Sequence, residues 1–134
     1  MIEVSHALDQ WAEGWSNHDM VGVASVFTDD CIYEDVALGV VNRGKEELMA
    51  FGNGFIAGVP DLRVEVTSRF ASRDMATAEW KMSGTHNGDL PGMPASGKTF
   101  SLRGVSTFQL RGDRVFRCSD YWDLATFRKQ LGFM

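Results

Sequence analysis

The stretch FRCSDYWDLATF, residues 116–127, decides how this chain folds. Read with a period of two, Phe116, Cys118, Asp120 and Trp122 share one face of a strand. Asp123 then stands at the N-cap position of a helix that begins with LATFRKQL. Arg128 and Lys129 suit the C-terminal end of that helix, and Gly132 can stop it. A strand running directly into a helix thus places Asp120, a carboxylic acid, on a face otherwise made of residues that proteins bury. An unpaired carboxylate there is costly, and burial raises its pKa. Such positions recur where a site needs a proton donor or acceptor. The other reading is a structural anchor, with Asp120 hydrogen-bonded to a Trp or a Tyr.

Working back from this strand, three more segments alternate with period two. Leu62, Val64, Val66, Ser68 and Phe70 share one parity; so do Ala76, Ala78, Trp80, Met82, Gly84 and His86; so do Phe100, Leu102, Gly104, Ser106, Phe108 and Leu110. RGDR, residues 111–114, is a hairpin turn into the last strand. Four consecutive strands with one covered face predict a mostly antiparallel meander. The N-terminal part has helical spacing instead. Val4, Ala7, Leu8, Trp11 and Trp15 predict a helix over 3–16. Asp19 is a plausible N-cap for a second helix, Met20 to Phe27. TDD reads as a turn, CIYEDV as a short strand, and NRGKEELMAFGNGFIAG as a third helix, in which Gly52 and Gly54 each cost about 1 kcal/mol relative to Ala. Helices first and sheet second define an α+β domain, predicted to span 1–134. The Gly- and Pro-rich connection 87–98 is a candidate lid or pocket rim.

The 134 residues suffice for a real core. The net charge of -5 and the lack of a basic stretch argue against nucleic acid as a partner. No run approaches the roughly 18 apolar residues of a membrane span, and MIEVSHALDQW has no apolar core of a signal peptide, so a cytoplasmic protein is expected. Cys31 and Cys118 match no metal spacing and read as buried reduced thiols, with a bridge between them left open. There is no phosphate loop, nucleophile elbow or metal motif. No cofactor and no metal are expected.

Several motifs occur together in the order WSNHDMVGVASVFTDDCIYED, PDLRVEV, EWKMSGTHNGDLPGMPASGK and DYWDLATFRKQLG. In these the chain resembles the SnoaL-like polyketide cyclases of the nuclear transport factor 2-like superfamily, over nearly its whole length. The resemblance implies a cone, with N-terminal helices packed in the concave face of a strongly curved, mostly antiparallel sheet and an apolar pocket at one end. It also implies a homodimer through the outer sheet face, where Val105, Thr107 and Arg103 lie. Aldol cyclases of this group use an aspartate on the last strand as acid and base, and Asp120 matches that place. They have a histidine nearby; here His86 is the candidate from the sheet. Limonene epoxide hydrolase, a relative, needs an Arg and an Asp where this chain has Trp80 and Met82. Ketosteroid isomerase, another, has its base in a segment similar to YEDVALG, which maps it onto Asp35, while Trp11 replaces its oxyanion-binding Tyr.

Tyr33 and Asp35 share one face of CIYEDV, so a pocket on that side holds two carboxylates and a phenol, a combination that can divide acid and base roles. The candidate catalytic set is therefore Asp120, Asp35 and Tyr33. Trp11, Trp15, Phe55, Trp80, Met82, His86, Leu102 and Trp122 are expected around a flat, apolar, carbonyl-bearing ligand. The predicted chemistry is an aldol-type cyclisation or an isomerisation. The alternatives are a non-catalytic small-molecule-binding domain, or an epoxide hydrolase-like or ketosteroid isomerase-like relative with an altered site.

Overall fold

The structure is a computed structural model that describes residues 2–134, with side chains from His6 onward. The side chain of Val4, one member of the first helical stripe, lies outside the described residues. The elements run α1 (Ile2–Ser16), α2 (Met20–Ala24), β1 (Phe27–Asp35), β2 (Val40–Arg43), α3 (Gly44–Gly58), β3 (Arg63–Ser72), β4 (Met75–Thr85), β5 (Thr99–Arg111), β6 (Arg114–Trp122) and α4 (Leu124–Gln130). The strands form one six-stranded sheet in the order β2-β1-β6-β5-β4-β3. Every neighbouring pair is antiparallel except β1 with β6, which run parallel. The α+β class is as the periodicity predicts, and the helix-filled, curved sheet is as the family resemblance implies.

Local chemistry explains most boundaries. Asp19 accepts from the Gly22 amide at 3.0 Å and caps α2, and Asp123 accepts from the Thr126 amide at 2.9 Å and caps α4. Arg128 and Lys129 fall in the last turn of α4, where they complement the carbonyl end of the helix. Three assignments differ from the sequence reading. The second helix stops at Ala24, and TDD is not a turn but part of β1. Phe27 pairs with Val115, and the register then shifts before Ile32 meets Arg117, so an irregularity absorbs the polar residues within the strand. Asn42 and Arg43, assigned to a helix from sequence, form the end of β2 instead. Gly52 sits inside α3 because α2 crosses there: a Cβ at this position would overlap the Met20 side chain.

The inward face of the sheet carries the alternating residues read from the sequence. Ala76, Ala78, Trp80 and Met82 on β4, and Phe100, Leu102, Phe108 and Leu110 on β5, are all buried. Trp11 of α1 meets Phe108 edge-on at 5.3 Å, and Phe127 of α4 meets Phe100 at 4.8 Å and Trp122 at 5.3 Å. The helices therefore fill the two ends of the concave face and leave space between them. Gly104 shapes that space. It is the cross-strand partner of both Trp80 and Trp122, and the Trp80 ring lies where its Cβ would be.

Gly104→Ala should therefore destabilise the protein by about 1–3 kcal/mol through overpacking, although Ala normally favours a strand over Gly. Urea unfolding measures this. An unchanged or raised midpoint would show that the Trp80 ring is not fixed over Gly104.

Candidate active site

One row of residues crosses the sheet and defines the site. Asp35 on β1 is in register with Asp120 on β6, and Asp120 is in register with Ser106 on β5. Because β1 and β6 are parallel neighbours, the two aspartates lie side by side on the same face. Both are buried, with 5% and 7% of their surface exposed. The Tyr33 hydroxyl, one step back along β1, donates to Asp120 Oδ2. Ser106 Oγ donates to Asp120 Oδ1 at 2.5 Å and in turn accepts from Trp80 Nε1 at 2.9 Å. The Cys118 thiol approaches the same Oδ1 at 3.4 Å. Asp35 has separate partners: Trp122 Nε1 at 3.0 Å from Oδ2 and the Leu38 amide at 2.8 Å from Oδ1.

These groups open onto a cavity whose empty volume, counting its mouth, is about 430 Å³. Tyr33, Asp35 and Asp120 line it. Trp11, Trp15, Phe55, Trp80, Met82 and Trp122 form most of its wall. Phe51, Leu62 and Val64, which the sequence did not single out for it, complete the lining. The cavity is a predominantly aromatic chamber with two adjacent carboxyl groups at one side. Among the described residues, no group of three or more His, Cys, Asp or Glu side chains could hold a metal ion.

The model of the SnoaL-like polyketide cyclases matches residues 5–131. The chain belongs to the SnoaL-like polyketide cyclase family. Solved structures agree with this in fold. TsrD from Streptomyces laurentii is 22% identical, over 99% of this chain and 97% of that one, with a TM-score of 0.89. A protein from Jannaschia sp. CCS1 classed with the SnoaL-like polyketide cyclases is 17% identical, over 97% and 92%, with a TM-score of 0.88. A protein with a ketosteroid isomerase-like fold from Catenulispora acidiphila DSM 44928, solved in complex with trimethylamine, is 21% identical, over 96% and 93%, with a TM-score of 0.85. At these identities the likeness establishes fold alone. No curated protein matches the chain.

Two residues expected at the pocket of this SnoaL-like chain lie elsewhere. Leu102 has the right parity and is buried, but it is not part of the cavity lining. It lies beyond Gly104 toward Phe100, where Phe127 of α4 packs on the sheet and fills the concave face. His86 is fully buried, yet its ring is held at the root of the 87–98 connection. Its amide donates to the Lys98 carbonyl and its carbonyl accepts from the Gly97 amide, so the connection folds back on it. Its Nδ1 accepts from the Ser96 amide at 3.3 Å, and its ring meets Phe133. The connection itself docks on the end of α3, with the Gly88 amide donating to the Gly58 carbonyl and Leu90 packed over Gly58. It does not form the pocket rim. Ser106 is the polar partner that the sequence reading missed. The only hint was a pair of small residues, Gly104 and Ser106, at successive inward positions of an otherwise bulky strand face.

Electrostatics follow from burial. Loss of water pushes the Asp120 pKa up to about 6, against the hydrogen bonds from Ser106 and Tyr33 that favour its charged form, and the neighbouring Asp35 adds to the rise. Burial also raises Asp35, although the Trp122 indole and the Leu38 amide oppose it. The Tyr33 phenol and the Cys118 thiol are pushed well above their ordinary ranges, first by burial and then by the adjacent Asp120 charge. Both cysteines are free and buried.

A folded-state pKa of about 6 for Asp120, against about 3.9 in an unfolded chain, makes stability depend on pH. Below about pH 4 both states hold the proton. As pH rises, the unfolded chain ionises first, so the folded state loses ground until Asp120 itself ionises. The loss is roughly 3 kcal/mol in all. Asp120→Asn removes this contribution while leaving that of Asp35. Urea unfolding across this range should show the wild type losing roughly 3 kcal/mol more than the variant. Parallel curves for the two proteins would contradict the shift.

Proposed function

We propose that this protein is a cofactor-independent enzyme that binds an apolar, carbonyl-bearing small molecule in the cone and acts on it through Asp120. The observation that carries the reading is a buried carboxyl group set beside a second carboxyl in an aromatic cavity, where loss of water raises its pKa. Family membership supports cyclase or isomerase chemistry in general terms.

At neutral pH the Asp120 carboxylate removes a proton from a carbon next to the carbonyl, leaving an enolate. In an aldol-type closure the enolate carbon bonds to a second carbonyl carbon, and the Asp120 acid returns its proton to the resulting alkoxide. In an isomerisation the proton returns to another carbon of the conjugated system. Either way the carboxylate is regenerated and no redox partner is needed. Tyr33 and Ser106 hold the carboxylate in place. Asp35 has its own bonds from Trp122 and Leu38, which keep it out of the direct path. Positions that hold an Arg and an Asp in limonene epoxide hydrolase are the neutral Trp80 and Met82, so water activation by a charged array is not part of this reading.

A second reading, ligand binding without turnover, draws on the same hydrogen bonds: both oxygens of Asp120 already accept from protein donors. Proton exchange separates the two. α-Tetralone, a flat bicyclic ketone, serves as a probe in deuterium oxide, with loss of its proton signal next to the carbonyl followed by NMR. Wild-type protein should accelerate the exchange, and Asp120→Asn should slow the catalysed rate by roughly 10²–10⁴-fold. Binding of the ketone without accelerated exchange would leave only the second reading.

We further propose that two copies associate through the outer sheet face. Arg103 is exposed there, and Val105 and Thr107 are partly covered. Tyr121 on the same face exposes 45% of its surface. Such a mix of aromatic, apolar and Arg groups suits a protein interface. Sedimentation at micromolar concentration should give a dimer; a monomer would refute this.

The described helices include none long and apolar enough to cross a membrane.

A further inference from the structure

The two oxygens of the Asp120 carboxylate are not equivalent. Each carboxylate oxygen has two lone-pair directions. Oδ1 accepts from Ser106 Oγ at 2.5 Å and from the Cys118 thiol at 3.4 Å, so both of its directions are taken. Among the described residues, Oδ2 accepts from the Tyr33 hydroxyl alone, so one of its directions is open. Both Oδ1 donors are committed by their surroundings. The Ser106 hydroxyl has a single proton, and its oxygen already accepts from Trp80 Nε1 at 2.9 Å, so that proton goes to Asp120. Cys118 precedes Asp120 by two residues on β6 and therefore shares its face. Burial and the Asp120 charge keep its thiol protonated, and hence a donor. The two oxygens also differ in what lies beyond them. Ser106 and Cys118 have no exposed surface and do not line the cavity, whereas Tyr33 and Asp120 line it. The Oδ1 side of the carboxylate thus faces protein, and the Oδ2 side faces the chamber.

We infer that Cys118, together with Ser106, is a positioning residue that makes Asp120 a one-sided base: Oδ2 is the oxygen that takes up and returns the substrate's proton. The inference deepens the reading of Asp120 as a base and rests on it. When the substrate's C–H bond breaks, the electron pair stays on the substrate as the enolate and the proton goes to Oδ2. Oδ1 then becomes the carbonyl oxygen of the acid and keeps both donors, so neither has to find a new partner during the transfer. A proton on Oδ1 would displace Ser106 or Cys118 and leave a buried donor unpaired. The carbon that gives up its proton therefore approaches beside the Tyr33 hydroxyl, in the part of the chamber walled by Trp15 and Phe51, which flank the Tyr33 ring.

Infrared difference spectra of the ligand-free protein, taken between the protonated and ionised forms of Asp120, test this. Asp120→Asn serves only to identify the acid carbonyl band of Asp120. A carbonyl that accepts hydrogen bonds absorbs at lower frequency than a free one, and a change of packing alone does not mimic the loss of a donor. With the proton on Oδ2, the carbonyl is Oδ1. Ser106→Ala and Cys118→Ala should then each move the band to higher frequency, Ser106→Ala by more, because a hydroxyl is a stronger donor than a thiol. Tyr33→Phe should leave it nearly in place. A band moved more by Tyr33→Phe than by Ser106→Ala puts the proton on Oδ1 and overturns the inference, while Asp120 remains a proton carrier. A band unmoved in Cys118→Ala overturns the part given to Cys118. If the wild type shows no Asp120 acid band above the ordinary aspartate range of pH, the reading of Asp120 as a base falls and the inference with it. Should Cys118→Ala not fold, the S–H stretch of Cys118 in the wild type decides: it should stay in the hydrogen-bonded range throughout the titration, and a move to the frequency of a free thiol would contradict the inference.

Discussion

A carboxylate placed between sheet and helices must be held there, and the rest of the site follows from how this is done. Asp120 is held by donors from two flanking strands: Tyr33 of β1 on one oxygen and Ser106 of β5 on the other. Each donor is itself fixed. Ser106 accepts from Trp80, whose ring lies over Gly104; Tyr33 packs among Trp15, Phe27 and Phe51. The bonds favour the charged form and burial favours the neutral one, and burial wins, leaving Asp120 near pH 6. That balance makes a carboxyl group useful for proton transfer near neutrality. A better-solvated aspartate would be a weaker base, and one without Tyr33 and Ser106 would be neutral at working pH.

The fold was legible because its periods are clean. Helical spacing around Trp11 and Trp15, and alternation along β3 to β6, assigned the main elements correctly. Where the reading failed, tertiary pairing overrode local signals. Asp29 and Asp30 look like a turn, yet β1 runs through them because Phe27 finds Val115 on β6. Asn42 and Arg43 precede a good helix, yet they pair with Tyr33 and Ile32. The site divides in the same way. Parity correctly placed Asp120, Trp80 and Met82 on the inner face, because a strand's period of two fixes its faces. Parity does not fix depth along a strand, so Leu102 was expected at a cavity that α4 closes off, and His86 at one from which its own loop withholds it. The Tyr33–Asp120 bond joins residues far apart in sequence, and nothing local to either encodes it.

The tryptophans show why site chemistry on this scaffold is hard to read from residue types. The fold hosts many activities, and the side chains in the cone decide among them. In sequence, Trp11 looked like the loss of a donor that a tyrosine supplies in ketosteroid isomerase, and the four indoles looked like wall. In space they divide by bonding: Trp80 donates to Ser106 and Trp122 to Asp35, while the buried Trp11 and Trp15 indole nitrogens have no acceptor. An indole is both a flat apolar surface and a hydrogen-bond donor. A chamber built from it can be dry enough to raise an aspartate's pKa and still hold its polar side chains by indole hydrogen bonds.

The central claim is that Asp120 is a buried proton carrier rather than a permanently ionised anchor. Carbon-13 NMR of the aspartate carboxyl groups, titrated through the acidic and neutral range with Asp120→Asn used for assignment, tests it most directly. The account predicts that the Asp120 resonance titrates at about pH 6. A midpoint at or below the ordinary value of about 3.9 would mean that its hydrogen bonds outweigh its burial, and the acid–base role would be abandoned.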